Sequence, residues 1–208
     1  MADAGTNGPY DIEQRTAQIL GRPQRIEPIA VEQLTDEQLE MINRLRAGAG
    51  AGPAAVMPEF FLVAVKHPRL FRCQLESGTL FFTGTISPRE RELAILRIAW
   101  LCGAPYEWGQ HVNIARRYAV TSEEIERARQ GSAASGWSEH EAAIVRGVEE
   151  LLDDKMISDA TWNTLAKSWS EEQLMEFPML VGAYVATAFQ QNTFRLRLEP
   201  ENPGLTHR

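Results

Sequence analysis

At five places in this chain a Ser or Thr is followed three residues later by Glu or Gln, and then by apolar residues at helical spacing: Thr35-x-x-Gln38, Ser87-x-x-Glu90, Thr121-x-x-Glu124, Ser138-x-x-Glu141 and Ser170-x-x-Gln173. In such a capping box the hydroxyl accepts a hydrogen bond from the backbone N–H three residues on, and the Glu or Gln side chain reaches back to the first residue's own N–H. After Ser138, the residues Ile144, Val145, Val148, Leu151 and Leu152 recur at the spacing of one helical face. No comparable run alternates with the period of a half-buried strand. The chain therefore reads as all-α, with helices near 35–46, 59–66, 68–80, 88–102, 105–118, 122–130, 139–153, 158–167 and 171–190.

The connections are short and marked by Gly or Pro, among them Pro58, Pro68, Pro88, Gly103, Pro105, Gly131 and Gly136, which favours antiparallel neighbours. Ala47 to Pro53 is a low-complexity Ala/Gly run and reads as a flexible linker. It divides an N-terminal helical arm, residues 1–50, from a main helical domain, residues 51–198, with an irregular tail over 199–208. The arm's apolar positions Leu34, Leu39, Ile42 and Leu45 need a surface to bury them, either on a neighbouring subunit or on the rest of the same chain. Near the C-terminus, Tyr184, Gln190, Gln191, Asn192, Arg195 and Arg197 give a helix a polar end. A solvated helix end explains it most simply; contact with an anionic ligand is the alternative.

At 208 residues, with 44% hydrophobic and 24% charged residues, the chain is long enough for a real core, and its apolar runs are too short to span a bilayer. A net charge of −7 and the absence of a dense Lys/Arg cluster argue against a nucleic-acid partner. Met1 to Gly5 lacks the basic and apolar regions of a secretory signal, and with only Cys73 and Cys102 present the expected location is cytoplasmic.

The chemistry concentrates between Arg89 and His111. Glu107 and His111 lie four residues apart after the Gly103 to Pro105 break, so a helix would place carboxylate and imidazole on one face. Glu92 lies 19 residues before His111 on the preceding helix, and an antiparallel return would bring it toward the same pair. His111 is the natural proton donor or acceptor, because imidazole alone titrates near neutrality without perturbation. Glu107 would orient it or act as a second acid or base, and Glu92 would exchange a proton if burial raised its pKa. Trp100, Tyr106 and Trp108 would line an apolar pocket, with the Tyr106 hydroxyl as its polar handle. One His and two Glu are too few for a metal site, so none is expected. Cys102 precedes Gly103 at a helix end; its plain role is that of a small buried side chain.

Glu92 and His111, the acidic residue at His minus four, and the sequences Arg-Glu-Arg-Glu-Leu, Ala-Trp-x-Cys-Gly and Tyr-Glu-Trp-Gly-x-His resemble the carboxymuconolactone decarboxylase family, which shares its fold with the alkyl hydroperoxidase D proteins. The resemblance is strongest over 58–130. It implies an all-helical domain built on an antiparallel helix hairpin and assembled into trimers or hexamers. The peroxidase members carry Cys-x-x-Cys-x-x-x-His; aligned on His111, their two cysteines fall on Ala104 and Glu107, so the disulfide-cycling pair is missing. The decarboxylase branch lacks those cysteines and uses no cofactor. The resemblance therefore implies an acid–base enzyme acting on a small lactone or aromatic-derived acid, with His111, Glu107 and Glu92 as its catalytic groups. Two alternatives stand beside it: a peroxidase that depends on Cys102, and a non-catalytic oligomeric protein that captures an apolar ligand.

Overall fold

All five boxes close as capping boxes in the computed structural model of the chain, which describes residues 10–52 and 57–208. They open α2 (Asp36–Gly48), α5 (Pro88–Leu101), α7 (Ser122–Gln130), α8 (Glu139–Asp153) and α10 (Glu171–Phe194). The remaining helices are α1 (Ile12–Leu20), α3 (Glu59–Ala64), α4 (Pro68–Thr83), α6 (Pro105–Arg117) and α9 (Asp159–Leu165). Among the described residues there is no strand, and no helix is long and apolar enough to cross a membrane. Met1 to Gly5, on which the cytoplasmic expectation rests, lie outside the described residues.

α5 is the axis of the fold. Every residue from Arg91 to Trp100 is buried, so over this stretch the helix has no solvent face and no amphipathic stripe, and it packs against α6, α7, α8 and α10. On one side Ile95 and Ile98 join Ile144, Val148, Phe177 and Leu180. On the other, Leu93, Leu96 and Trp100 join Trp108, Val112 and Ile125. Gly103 turns α5 into α6 at φ +53, a conformation that favours glycine; a Cβ there would also meet Arg15 Nε at 2.7 Å.

Three local expectations are revised. α1 is absent from the expected helices, although Asp11 caps it through the backbone N–H of Gln14 at 2.7 Å. The Ala47 to Pro53 run is only partly a linker: α2 continues through Gly48, Ala49 is buried, and the Ala49 and Gly52 carbonyls accept from Arg117 and Arg46. Pro53 lies outside the described residues. Of the two surfaces open to the arm's apolar positions, Ile42 uses its own chain, fully buried against Phe61, Phe71 and Leu75.

The tail is the third. It forms a 3-10 turn, Gly204–Thr206, seated on α6, with Leu205 buried in the core. Asn202 donates to the Tyr106 carbonyl and accepts from Gly204 N, while Trp108 Nε1 donates to the His207 carbonyl at 3.0 Å. Gly109 makes this contact possible, since an added Cβ would lie 1.5 Å from Asn202 Oδ1.

Candidate active site

The hairpin of α5 and α6 brings Glu92 and His111 together. Glu92 Oε2 lies 2.7 Å from His111 Nδ1, and Glu92 Oε1 accepts from Arg91 Nε at 2.9 Å. The carboxylate is fully buried, so these two partners replace the hydration it loses. The Arg91 guanidinium is itself buried, 4.4 Å from the centroid of the Phe82 ring and 5.3 Å from that of Tyr118. With Nδ1 directed at Glu92, the tautomer and ring orientation of His111 are set, and Nε2 is the nitrogen left for a ligand. Tyr184 of α10 packs edge-to-face on the imidazole with ring centroids 5.1 Å apart. Burial, followed by the charge of Glu92, pushes the Tyr184 phenol well above its usual range, so it stays protonated at neutral pH.

His111 and Tyr184 help line a cavity of about 380 Å³ bounded by α2, α3, α4, α6 and α10. That volume suits a small organic ligand. Its walls are mainly apolar, with Leu45, Phe60, Phe61, Phe82 and Ile114 among them. Arg46 and Arg117 line it as well. Each donates to a backbone carbonyl, and among the described residues neither forms an ion pair. Burial, and then the charge of Arg117, lowers the Arg46 pKa from the ordinary guanidinium value, and the buried Arg46 Nε has no hydrogen-bond partner.

Glu107 departs from expectation. It is buried, neither of its oxygens has a hydrogen-bond partner, and it does not bond to His111 or line the cavity. Burial alone raises its pKa well above the carboxylate range, which makes it a neutral acid inside the core. Helical spacing placed the two residues on adjacent turns, but the partner for the imidazole comes from α5.

The aromatic expectations divide. Tyr106 lines the cavity, yet its hydroxyl is already committed, donating to Glu199 Oε1 at 2.6 Å and accepting from Phe60 N at 3.3 Å. Trp100 and Trp108 do not reach the cavity; they pack against each other with centroids 5.2 Å apart in the core between α5, α6 and α7. Arg91 and the Arg46/Arg117 pair were given no role from the sequence, and Tyr184 was read there only as part of a polar helix end, which the structure turns toward the cavity with Gln190 and Gln191. Nothing local marks them, because each meets the site through a contact between elements.

Cys102 does not line the His111 cavity but a second cleft. Burial first, and then the Glu107 carboxyl, pushes its thiol up to about 12. Its thiolate population near pH 8 is then about a thousandth of that of an ordinary cysteine, whose pKa is 9.0. Limited iodoacetamide treatment at that pH is expected to label exposed Cys73 first and leave Cys102 largely unmodified, as read by peptide mass spectrometry. Rapid labelling of Cys102 would show that its thiol is activated. Cys73, given no chemical neighbours by the sequence, lines the His111 cavity. Among the described residues, no three His, Cys, Asp or Glu side chains are grouped to hold a metal ion.

Residues 71–150 match the model of the carboxymuconolactone decarboxylase family. No curated protein matches the sequence. Among solved structures, an alkylhydroperoxidase AhpD core described as a peroxidase-related protein from Ralstonia eutropha JMP134 superposes with a TM-score of 0.73 at 17% identity, covering 86% of this chain and 95% of that one. The apo debrominase Bmp8 gives 0.71 at 14% identity, covering 85% of this chain and 93% of the other. A Cys-to-Ala variant of that debrominase in complex with 2,3,4-tribromopyrrole gives 0.70 at 16% identity, with 86% and 94% covered. At these identities the likeness is one of fold.

Proposed function

We propose that this chain is an acid–base enzyme needing no cofactor, acting on a small lactone or aromatic-derived acid, a reading supported by the match of residues 71–150 to the carboxymuconolactone decarboxylase family model and by a fold like that of the alkylhydroperoxidase AhpD core. The observation that carries the proposal is the Glu92–His111 pair, a buried carboxylate holding one ring nitrogen while the imidazole lines an apolar cavity. In a decarboxylation the bond to the departing carboxylate breaks, CO2 leaves, and the electron pair delocalises toward the lactone carbonyl. His111 then delivers a proton from Nε2 to the carbon, and Glu92 stabilises the imidazolium before that transfer. Arg46 and Arg117, cationic and without carboxylate partners, support an acidic substrate, since they would anchor a carboxylate that does not react. Glu107, neutral and outside the cavity wall, is given no proton-transfer step.

Assembly into a homotrimer or homohexamer belongs to the same proposal. Met175 and Met179, exposed on one face of α10, support it, because an apolar surface of this kind is favourably buried between subunits. The raised Cys102 pKa weakens the peroxidase alternative.

The test is turnover of a panel of aromatic-derived lactones and acids, with products read by mass spectrometry. His111→Ala is expected to lower turnover about 10²–10⁴-fold, as removal of a general acid–base group does, while the circular dichroism spectrum is retained. Cys102→Ser is expected to keep it. Full activity in His111→Ala would overturn the proposal, and loss confined to Cys102→Ser, with hydroperoxide as substrate, would establish the peroxidase instead.

A further inference from the structure

A second cleft, about 500 Å³ in volume, lies away from the His111 cavity, between α1, the segment that follows it and the C-terminal end of α10. Arg15, Arg22, Arg25 and Arg195 line it together with Gln18 and Asn192, and no Asp or Glu does. In a chain of net charge −7 this is an unusual concentration of one sign. Elsewhere the acids are used to pair arginines: Arg89 meets Glu124 and Glu141, Arg97 meets Glu149, and Arg129 and Arg208 meet Glu126. Among the described residues, none of the four cleft arginines is in an ion pair.

Three of the four are fixed by backbone carbonyls instead. Arg15 donates from Nε to Gly103 O at 2.9 Å and from Nη2 to Cys102 O at 3.1 Å. Arg25 Nη1 donates to Thr193 O at 3.2 Å, and Arg195 Nη1 to Pro23 O at 3.1 Å. Behind them Arg197 holds the Leu20 and Arg22 carbonyls at 2.6 and 2.7 Å. A neutral carbonyl orients a guanidinium without cancelling its charge, and each guanidinium keeps further N–H donors for a ligand. Arg195 takes the left-handed conformation, φ 58 and ψ 52, at the end of α10, a backbone cost that β-carbon residues usually avoid. Desolvation, then repulsion from Arg25, Arg22 and Arg197, depresses its pKa. On the floor of the cleft, Asn192 donates to Cys102 O, while its buried Oδ1 has no partner.

We propose that this cleft is a binding site for a small polyanion carrying two or more clustered oxyanion groups, such as a di- or triphosphate moiety. Several pre-oriented guanidiniums with no acid among them match that charge density, each offering a paired N–H edge to a phosphate. The thiol of Cys102 takes no part, and the site is independent of the chemistry at His111.

Inorganic tripolyphosphate is the probe, titrated calorimetrically into the full-length protein at low ionic strength. Binding is expected at one site per chain, weakening as salt is raised. Arg22→Glu, a reversal at an exposed side chain, and Arg195→Ala should each weaken it about tenfold or more, with unchanged circular dichroism. Arg44→Ala, which removes an exposed arginine on α2 paired with Glu40, should leave it unaltered. Absence of tripolyphosphate binding to the parent protein would overturn the proposal, as would equal weakening by Arg22→Glu and Arg44→Ala. A change in the mass of the assembly in Arg22→Glu, with no phosphate bound by the parent, would assign the cleft to a contact between subunits instead.

Discussion

Glu92→Leu is expected to cost about 3–5 kcal/mol of folding stability, most of what an ordinary domain possesses. The substitution removes one member of a buried ion pair and strands the other. Arg91 is as buried as Glu92, and beyond that carboxylate its nearest acceptor is the Phe82 carbonyl at 3.5 Å, with Nη2 already unpartnered. Its charge would be left between the Phe82 and Tyr118 rings with little compensation. Replacing both members with apolar residues, Arg91→Met with Glu92→Leu, should recover most of the loss, because the penalty lies in the unpaired charge rather than in packing. Urea unfolding of the parent, the single and the double variant provides the measurement. Equal losses in the single and double variants would show that Arg91 is not stranded. The double variant should nevertheless be inactive, since it frees His111 Nδ1 from the group that sets its tautomer.

Glu107→Gln should have the opposite effect on stability and expose a pH dependence. Below the ordinary glutamate pKa, 4.5, the carboxyl is protonated in both folded and unfolded chains and contributes no difference. As pH rises past that value, the unfolded carboxyl ionises while the buried one does not. Stability is therefore lost progressively until pH passes the raised folded pKa, at about 1.4 kcal/mol for each pH unit between the two. For a chain of this size each kcal/mol corresponds to about 2–4 °C in melting temperature. The Gln variant lacks the ionisation. Its melting temperature should match the parent's near pH 4 and exceed it increasingly as pH rises toward neutrality. Parallel melting curves across that range would show that Glu107 is not held neutral by burial. A stabilised Gln variant that keeps full turnover would also confine Glu107 to the core.

The two variants mark how far the site could be seen from residues alone. That Glu92 and His111 would meet followed from a broken helix pair of nearly equal arms, Pro88–Leu101 and Pro105–Arg117. The pairing of Glu107 with His111 did not follow. Sequence spacing says which side chains share a helical face, but not which face the core claims, and Glu107 is buried away from the cavity lining. Trp100 and Trp108 were assigned to a pocket because they flank the chemistry in sequence; in space they pack in the core with Val112 and Ile125 and do not line the cavity. The cavity walls come from α2, α3, α4, α6 and α10, segments up to about 145 residues apart, and no local pattern records that they converge.

What the amino-acid order determines here is local. Caps, Pro and Gly breaks and helical periods act within one or two turns of backbone, so the all-α class and the starts of α2, α5, α7, α8 and α10 could be read directly. Only the tertiary structure decided the partners of Glu92, the neutrality of Glu107, the docking of the tail beside Gly109 and the gathering of unpaired arginines against the end of α10. Those outcomes depend on desolvation and on charges brought close by packing, and both are properties of the folded arrangement rather than of any one segment.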